Sequence, residues 1–343
     1  MTGKILQTTP TVSIIIPVKN EEENIGLLLE ALERQSYPFD EVVITDGGST
    51  DRTRDVIESF SRRDKRIKLV SVKKANPGKG RNIAIKHSTG SVLAFIDSGI
   101  IPEPNWLEKL MKPMMNESST DCVFGHVIFD TRSRIKPVSD LQKILVLLTK
   151  PNEEQDCFYL PGSAMKRSIW EELKGFPQES ETGEDLVLIG LIKNGGYKYA
   201  YEKDAISYYY DYPDSMLDIF RKWVFHTQGT TTVFMSVKYF LIKLIVFLMA
   251  VVLTIVLALL SIKNLMLGLF LIVFLCMVTS YRLVKRANTH RPLSAELLRR
   301  PVNWVMLITL FFSLDIARVI GVFKGLSEHL RRHNNIAIAR MDN

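Results

Sequence analysis

Four short apolar runs within the first hundred residues constrain the fold of this 343-residue chain more than any other feature. They lie at 11–17, 41–45, 67–72 and 92–96, and each gives way to proline or to a polar turn. Runs of this length are strand-sized, and Val and Ile favour that conformation. Between the first two, Ile25, Leu28, Leu29 and Leu32 recur at helical spacing. This βαβαβαβ alternation predicts an α/β fold with a mostly parallel, doubly wound sheet. Parallel strands place their C-terminal ends on one edge, where such sheets bind ligands. Within 91–104, SVLAFIDSGIIPEP, the fourth run stops at Asp97 and puts a carboxylate on that edge. Asp-Ser-Gly also suits an ordinary turn.

The turns carry the chemistry. Asn20 is a candidate helix cap with Glu23 three positions on, and Thr50 and Asp51 are candidates for the next helix. Asp46 follows the second strand and is placed to accept from a base or ribose. Residues 76–82, NPGKGRN, read as a glycine-rich basic loop opening a helix, with Lys79 and Arg81 available to phosphates. No GxGxxG follows the first strand and no Walker A ending is present, which argues against a Rossmann dinucleotide site and a P-loop. Residues 122–129 form a further strand. An amphipathic helix at 136–150 packs on the sheet or lies on a membrane. Glu184 and Asp185 stand at the start of another helix, SYYYDY at 207–212 closes the sheet region, and residues 214–229 are amphipathic.

Beyond about residue 235 the composition changes. Apolar runs at 239–262, 265–284 and 302–323 are each long enough to span a bilayer. Lys263-Asn264 separates the first two, and a basic connector follows the second, which favours the cytoplasmic side. Asp315 and Arg318 interrupt the third as a structural ion pair. The net charge of +7 is read as membrane flanking and phosphate binding, not nucleic-acid binding. Cys122, Cys157 and Cys276 form no metal or disulfide pattern. The first residues contain no apolar signal segment. The expected organisation is a cytoplasmic domain at 1–232 and a multi-pass membrane domain at 233–343.

The motifs SIIIPVKNEEENI, TDGGSTD, PGKGRNIAIKHSTG, AFIDSG and a later GED, in this order, resemble the family 2 glycosyltransferases of GT-A fold. The resemblance covers residues 12 to about 230, and the tail is similar to membrane-bound members. It implies that Pro17, Lys19, Asn20 and Glu21 form a nucleotide-contacting turn and that Asp46 lies by the base. It implies that Gly78, Arg81 and Asn82 lie by the diphosphate, and that Gly162 and Ser163 belong to a donor-sugar loop. Asp97, with Ser98 after it, matches the first Asp of the DxD motif and implies Mn²⁺ or Mg²⁺. Gly99 stands where the second Asp is expected, and His126 is a possible replacement ligand. Asp185 is the expected catalytic base, with Glu184 as second candidate. Arg221 and Trp223 resemble the interfacial helix near diphosphate and acceptor, although the full QxxRW is absent.

The expected activity is inverting transfer of a hexose such as mannose. Its donor would be a GDP- or UDP-sugar, and its acceptor a polyprenyl or dolichyl phosphate or a lipid-linked glycan. A processive polysaccharide synthase and an inactive membrane scaffold of the same fold are the alternatives.

Overall fold

The computed structural model describes residues 9–116, 120–151, 157–178, 181–234 and 290–341. The chain divides into two compact units, one of Met1–Val138 with Glu153–Pro213 and one of Ser139–Asn152 with Asp214–Asn343.

The first unit begins with β1 (Val12–Val18), α1 (Ile25–Glu33), β2 (Glu41–Asp46), α2 (Thr53–Arg63), β3 (Ile67–Ser71), α3 (Pro77–Lys86) and β4 (Val92–Phe95). β5 (Ile100–Pro102), α4 (Trp106–Asn116) and β6 (Cys122–Phe129) follow. After the second unit's inserted segment come β7 (Ser163–Lys166), α6 (Arg167–Glu172), α7 (Glu184–Asn194) and β8 (Tyr199–Tyr209). The eight-stranded sheet runs β3-β2-β1-β4-β7-β6-β8-β5. β3, β2, β1 and β4 are parallel, as the alternation predicts. The second half is mixed: β7 is antiparallel to β4 and β6, β6 is parallel to β8, and β5 is antiparallel to β8. The expectation of a mostly parallel sheet is corrected there. A parallel neighbour needs a long crossover in every case, whereas β5 follows β4 after a tight turn and joins the opposite edge of the sheet.

Both faces of the sheet are covered, which explains runs without alternation. Ile14, Ile16, Val42, Ile44 and Ala94 face α1, α2 and α4, where Leu28, Leu32, Ile57 and Trp106 are buried. Ile15, Val43, Leu93 and Phe95 face the other way, with Ala84 and Ile85 of α3 and Leu188 and Ile192 of α7.

Two helix starts differ from expectation. Asn20 does not cap α1, whose cap position is Asn24. Asn20 takes a left-handed φ of 56°, its Oδ1 accepts from Thr50 N at 2.9 Å, and its own N–H donates to Ser49 Oγ at 2.9 Å. It ties the β1 turn to the β2 turn. Asp51 lies just outside α2 and accepts from Thr53 N at 3.1 Å.

Glu41, 2% exposed at the start of β2, joins three elements. It accepts from Ser13 Oγ at 2.7 Å, Thr89 N at 2.5 Å and Lys68 Nζ at 2.7 Å. Burial opposes the carboxylate, but Lys68, Ser13 and Thr89 outweigh it and hold its pKa down to about 2. A depressed folded-state value stabilises the fold fully above the ordinary 4.5, and this is lost as pH falls through about 2. Glu41→Gln is expected to cost about 2 kcal/mol at pH 7, allowing for the half-exposed Lys68. Urea unfolding at pH 7 and near pH 2 checks this: the gap to wild type should close at the lower pH.

The second unit holds α5 (Asp140–Thr149), α8 (Met216–Phe234), α9 (Arg291–Leu297) and α10 (Pro301–Met341). Ser139 and Gln142 form a capping box on α5. The apolar stripe expected at 136–150 packs here rather than on the sheet: Ile144, Leu145 and Leu148 meet Ile219, Leu297, Leu307, Leu310 and Leu314. Within α10, Pro301–Gly325 is the one helix among the described residues long and apolar enough to cross a membrane. It leaves Val302, Val305, Ile308, Phe312, Ile316, Ile320 and Phe323 exposed at helical spacing, an apolar stripe on one face. Asp315 and Arg318 pair at 2.7 Å, as expected. The runs at 239–262 and 265–284 lie outside the described residues.

Candidate active site

Arg81, only 2% exposed, is the hub of the carboxyl edge in the first unit. Its Nη1 donates to Glu184 Oε1 at 2.5 Å and its Nη2 to Asp97 Oδ1 at 2.8 Å. One cation thus joins the end of β4 to the start of α7. The local sequence builds this. Asn76 caps α3 through its side chain, accepting from Lys79 N at 2.8 Å, and Pro77 occupies the first turn. Residues 77–82 are therefore helix, not loop. At Gly78 a Cβ would lie 2.6 Å from Pro177 O and 3.0 Å from Glu184 Cγ, so glycine lets α7 approach. Burial opposes the Arg81 charge, but Asp97, Glu184 and Asp185 outweigh it and raise its pKa. For Glu184, burial pushes the pKa up against the pull of Arg81.

The two adjacent carboxylates of α7 differ in state. Gly183, at φ 84°, turns the chain into the helix. Glu184 is buried and held by Arg81. Asp185 is half-buried in the first helical turn and makes no side-chain hydrogen bond or ion pair among the described residues. Its oxygens are open to a bound molecule.

A second acidic group lies where β1 and β8 end. Glu21 Oε2 accepts from Asn24 Nδ2 at 2.9 Å, and Asn24 Nδ2 also lies 3.4 Å from Asp211 Oδ1. Burial raises the pKa of Glu21 against the Asn24 hydrogen bond, with Asp211 and Asp97 adding to the rise. Ser98, in the turn after Asp97, is buried. Lys136 reaches in from the loop after β6, donating to Asn24 Oδ1 at 2.8 Å. Asp211 was not among the residues expected here; the sequence signalled only an aromatic strand end.

Several other expected site residues also make contacts within the fold. Asn82 is buried, donates to Phe176 O at 2.8 Å and accepts from Trp170 Nε1 and Phe176 N, so it anchors a loop. Asp46 is fully buried; it accepts from Ser49 N at 2.9 Å and pairs with Arg54 at 3.0 Å. Its carboxylate shapes the turn after β2. Ser163 is fully buried, with its hydroxyl on Leu160 O at 2.6 Å. Gly162 has φ 94°, and its carbonyl accepts from Gly125 N at 3.0 Å. Both belong to the turn into β7. Pro17 lies in β1 beside Gly80 of α3. Lys19 and Lys79 are exposed and make no ion pair among the described residues. His126 bonds Tyr201 OH at 2.6 Å, not the carboxylates. Arg221 and Trp223 lie on α8 in the second unit, Arg221 3.7 Å from Asp218 and Trp223 packed on that unit's core.

Among the described residues no three His, Cys, Asp or Glu side chains form a ready cation site. Asp97 is still suited to share one. Its Oδ1 is held by Arg81, its side chain is 36% exposed, and its Oδ2 takes no hydrogen bond among the described residues. A hard cation such as Mg²⁺ or Mn²⁺ takes oxygen donors and completes its shell with phosphates and water. The donor set fits that ion.

Residues 13–173 match the family model described as Glycosyl transferase family 2. The chain carries a family 2 glycosyltransferase domain. The match begins in β1 and ends just past α6, so it includes Arg81 and Asp97 and stops short of Glu184 and Asp185. The glycosyltransferase AglE of Haloferax volcanii is 28% identical over 203 residues, 58% of this chain and 66% of that protein. The Escherichia coli UDP-Glc:alpha-D-GlcNAc-diphosphoundecaprenol beta-1,3-glucosyltransferase WfgD is 33% identical over 134 residues, 39% of this chain and 52% of that protein. The chain spans between half and two thirds of the length of these curated relatives. The mannosyltransferase PcManGT from Pyrobaculum calidifontis, solved with GDP-Man and Mn²⁺, has a TM-score of 0.53 and 18% identity. That likeness covers 91% of this chain and 88% of PcManGT, and it concerns the fold alone. The family 2 domain therefore stands on a GT-A type of sheet.

Proposed function

We propose that this family 2 glycosyltransferase moves a hexose from a UDP- or GDP-sugar to a hydroxyl of a lipid-linked glycan at a membrane, with inversion. The observation that carries this is the split between Glu184, locked on Arg81, and Asp185, open at the same helix start. Asp185 accepts the proton of the acceptor hydroxyl as the oxygen attacks the anomeric carbon. The bond from that carbon to the donor's diphosphate breaks, and the nucleoside diphosphate leaves with the electron pair. One base and attack opposite the leaving group give inversion. The exposed Lys19 and Lys79 supply cationic charge to the diphosphate, since Arg81 is consumed internally. Asp97 would hold Mn²⁺ or Mg²⁺ with the donor phosphates, and such an ion neutralises charge on a leaving diphosphate.

An ionised polyprenyl phosphate needs no base to attack, so an open Asp185 favours a hydroxyl acceptor over bare lipid phosphate. The apolar stripe of α10 supports a membrane location, and the lipid-linked acceptor in the name of WfgD supports the acceptor class. Multi-pass insertion, through the runs at 239–262 and 265–284 together with α10, and a cytoplasmic catalytic domain belong to the same proposal.

The test is a donor panel of UDP- and GDP-hexoses given to the purified full chain in detergent, with polyprenyl phosphate and polyprenyl-diphosphate-linked sugar as separate acceptors. Mass spectrometry should find one added hexose on the linked sugar only. Transfer to the bare phosphate, or polymer formed without lipid, would overturn the acceptor assignment.

A further inference from the structure

We infer that Asp211 replaces the carboxylate that Gly99 lacks, so that Asp97 and Asp211 together hold the divalent cation. This rests on the transferase reading above. The two positions compete for one volume. A Cβ at Gly99 would lie 2.6 Å from Asp211 Cβ, 3.4 Å from its Cγ and 3.5 Å from its Oδ2. Two non-bonded carbons do not approach so closely, so a side chain at 99 and the Asp211 side chain exclude each other. Glycine at 99 is the condition for Asp211 to be there.

The fold fixes that placement. β5 and β8 pair antiparallel with Ile100 opposite Tyr209, which carries the end of β8 past the Asp97–Gly99 turn. Tyr210 N donates to Gly99 O at 3.2 Å, and Tyr210 OH to Ser98 O at 3.4 Å. Tyr209 OH donates to Asp211 O at 2.7 Å, and Tyr212 N to Tyr210 O at 3.1 Å. The backbone around Asp211 is thus held on both sides, which limits the freedom a ligand must lose on binding. Asp97 stands two residues before Gly99, so Asp211 lies against the same turn that carries Asp97. Two carboxylates with the oxygens of a diphosphate make the all-oxygen shell that Mg²⁺ and Mn²⁺ prefer.

The test reads cation binding itself. Mn²⁺ is titrated into the full chain in detergent with UDP or GDP present, and free Mn²⁺ is followed by electron paramagnetic resonance. Wild type should bind Mn²⁺ with one of the diphosphates. Asp211→Asn and Asp97→Asn should each weaken that by about tenfold or more, on the order of 1.4 kcal/mol per tenfold. Gly99→Asp should fail alone, and Gly99→Asp with Asp211→Gly should recover Mn²⁺ binding because the carboxylate is relocated and the clash removed. Melting temperature separates loss of fold from loss of ligand. Undiminished binding by Asp211→Asn, or no recovery in a folded double variant, overturns the inference. Absence of Mn²⁺ binding by wild type with either diphosphate counts instead against the transferase reading.

Discussion

Asp185→Asn is expected to lower sugar transfer by about 100- to 10,000-fold, the range that a positioned general base supplies. The amide keeps the size of the side chain and cannot take a proton. Asp185 makes no side-chain hydrogen bond or ion pair among the described residues. The fold should therefore lose no more than the roughly 0.3–1 kcal/mol that an acidic group contributes near a helix N-terminus. Binding of the nucleoside diphosphate should be unchanged, so the loss should fall on kcat and not on KM. Glu184→Gln is the contrast. It removes the negative partner of a buried arginine, and its main effect should be a lower melting temperature. Single-turnover transfer assays and thermal unfolding on both variants distinguish the roles. Full transfer by Asp185→Asn would refute the base assignment.

Arg81→Met is expected to cost about 3–5 kcal/mol of stability. The guanidinium satisfies two carboxylates from opposite sides of the edge, at 2.5 and 2.8 Å. Without it Glu184, 4% exposed, is a buried carboxylate with no counter-charge. For a unit of this size such a cost lowers the melting temperature by roughly 6–20 °C. Arg81→Lys should recover only part, because one ammonium does not reproduce a fork that engages two partners at once. Arg81→Met with Glu184→Leu should regain stability, since exchanging a buried ion pair for apolar side chains is often neutral or favourable. If Arg81→Met kept its melting temperature and lost only donor affinity, Arg81 would be a phosphate ligand, as the basic character of its segment first suggested.

The strands were legible in the sequence because their signal is local. Val and Ile runs of strand length stand between turn residues, and both faces of β1, β2 and β4 are buried, so the runs are continuous. Asp97 and the Glu184–Asp185 pair were also legible, because each sits at the end of a pattern that a short window reveals. The roles of Arg81, Asn82, Ser163 and Asp46 were not. A short window shows a charge or an amide, but not the partner that meets it, and these partners lie at Glu184, Phe176, Leu160 and Arg54. Asn20 misled in the same way: its type suits a helix cap, but contacts with Ser49 and Thr50 decide its conformation.

By itself the sequence determined the parallel half of the sheet, the carboxylates that end its elements, and the apolar character of the C-terminal part. Hydrophobic period and turn chemistry are written within a few residues of each other, so these follow from the order of side chains alone. Tertiary structure alone decided which charges are spent internally and which stay open, and it brought Asp211 beside Gly99 through the β5–β8 pairing. Those outcomes depend on antiparallel pairing and helix packing between distant segments. Burial then turns an arginine or a carboxylate from a free ligand into a partner that cannot leave.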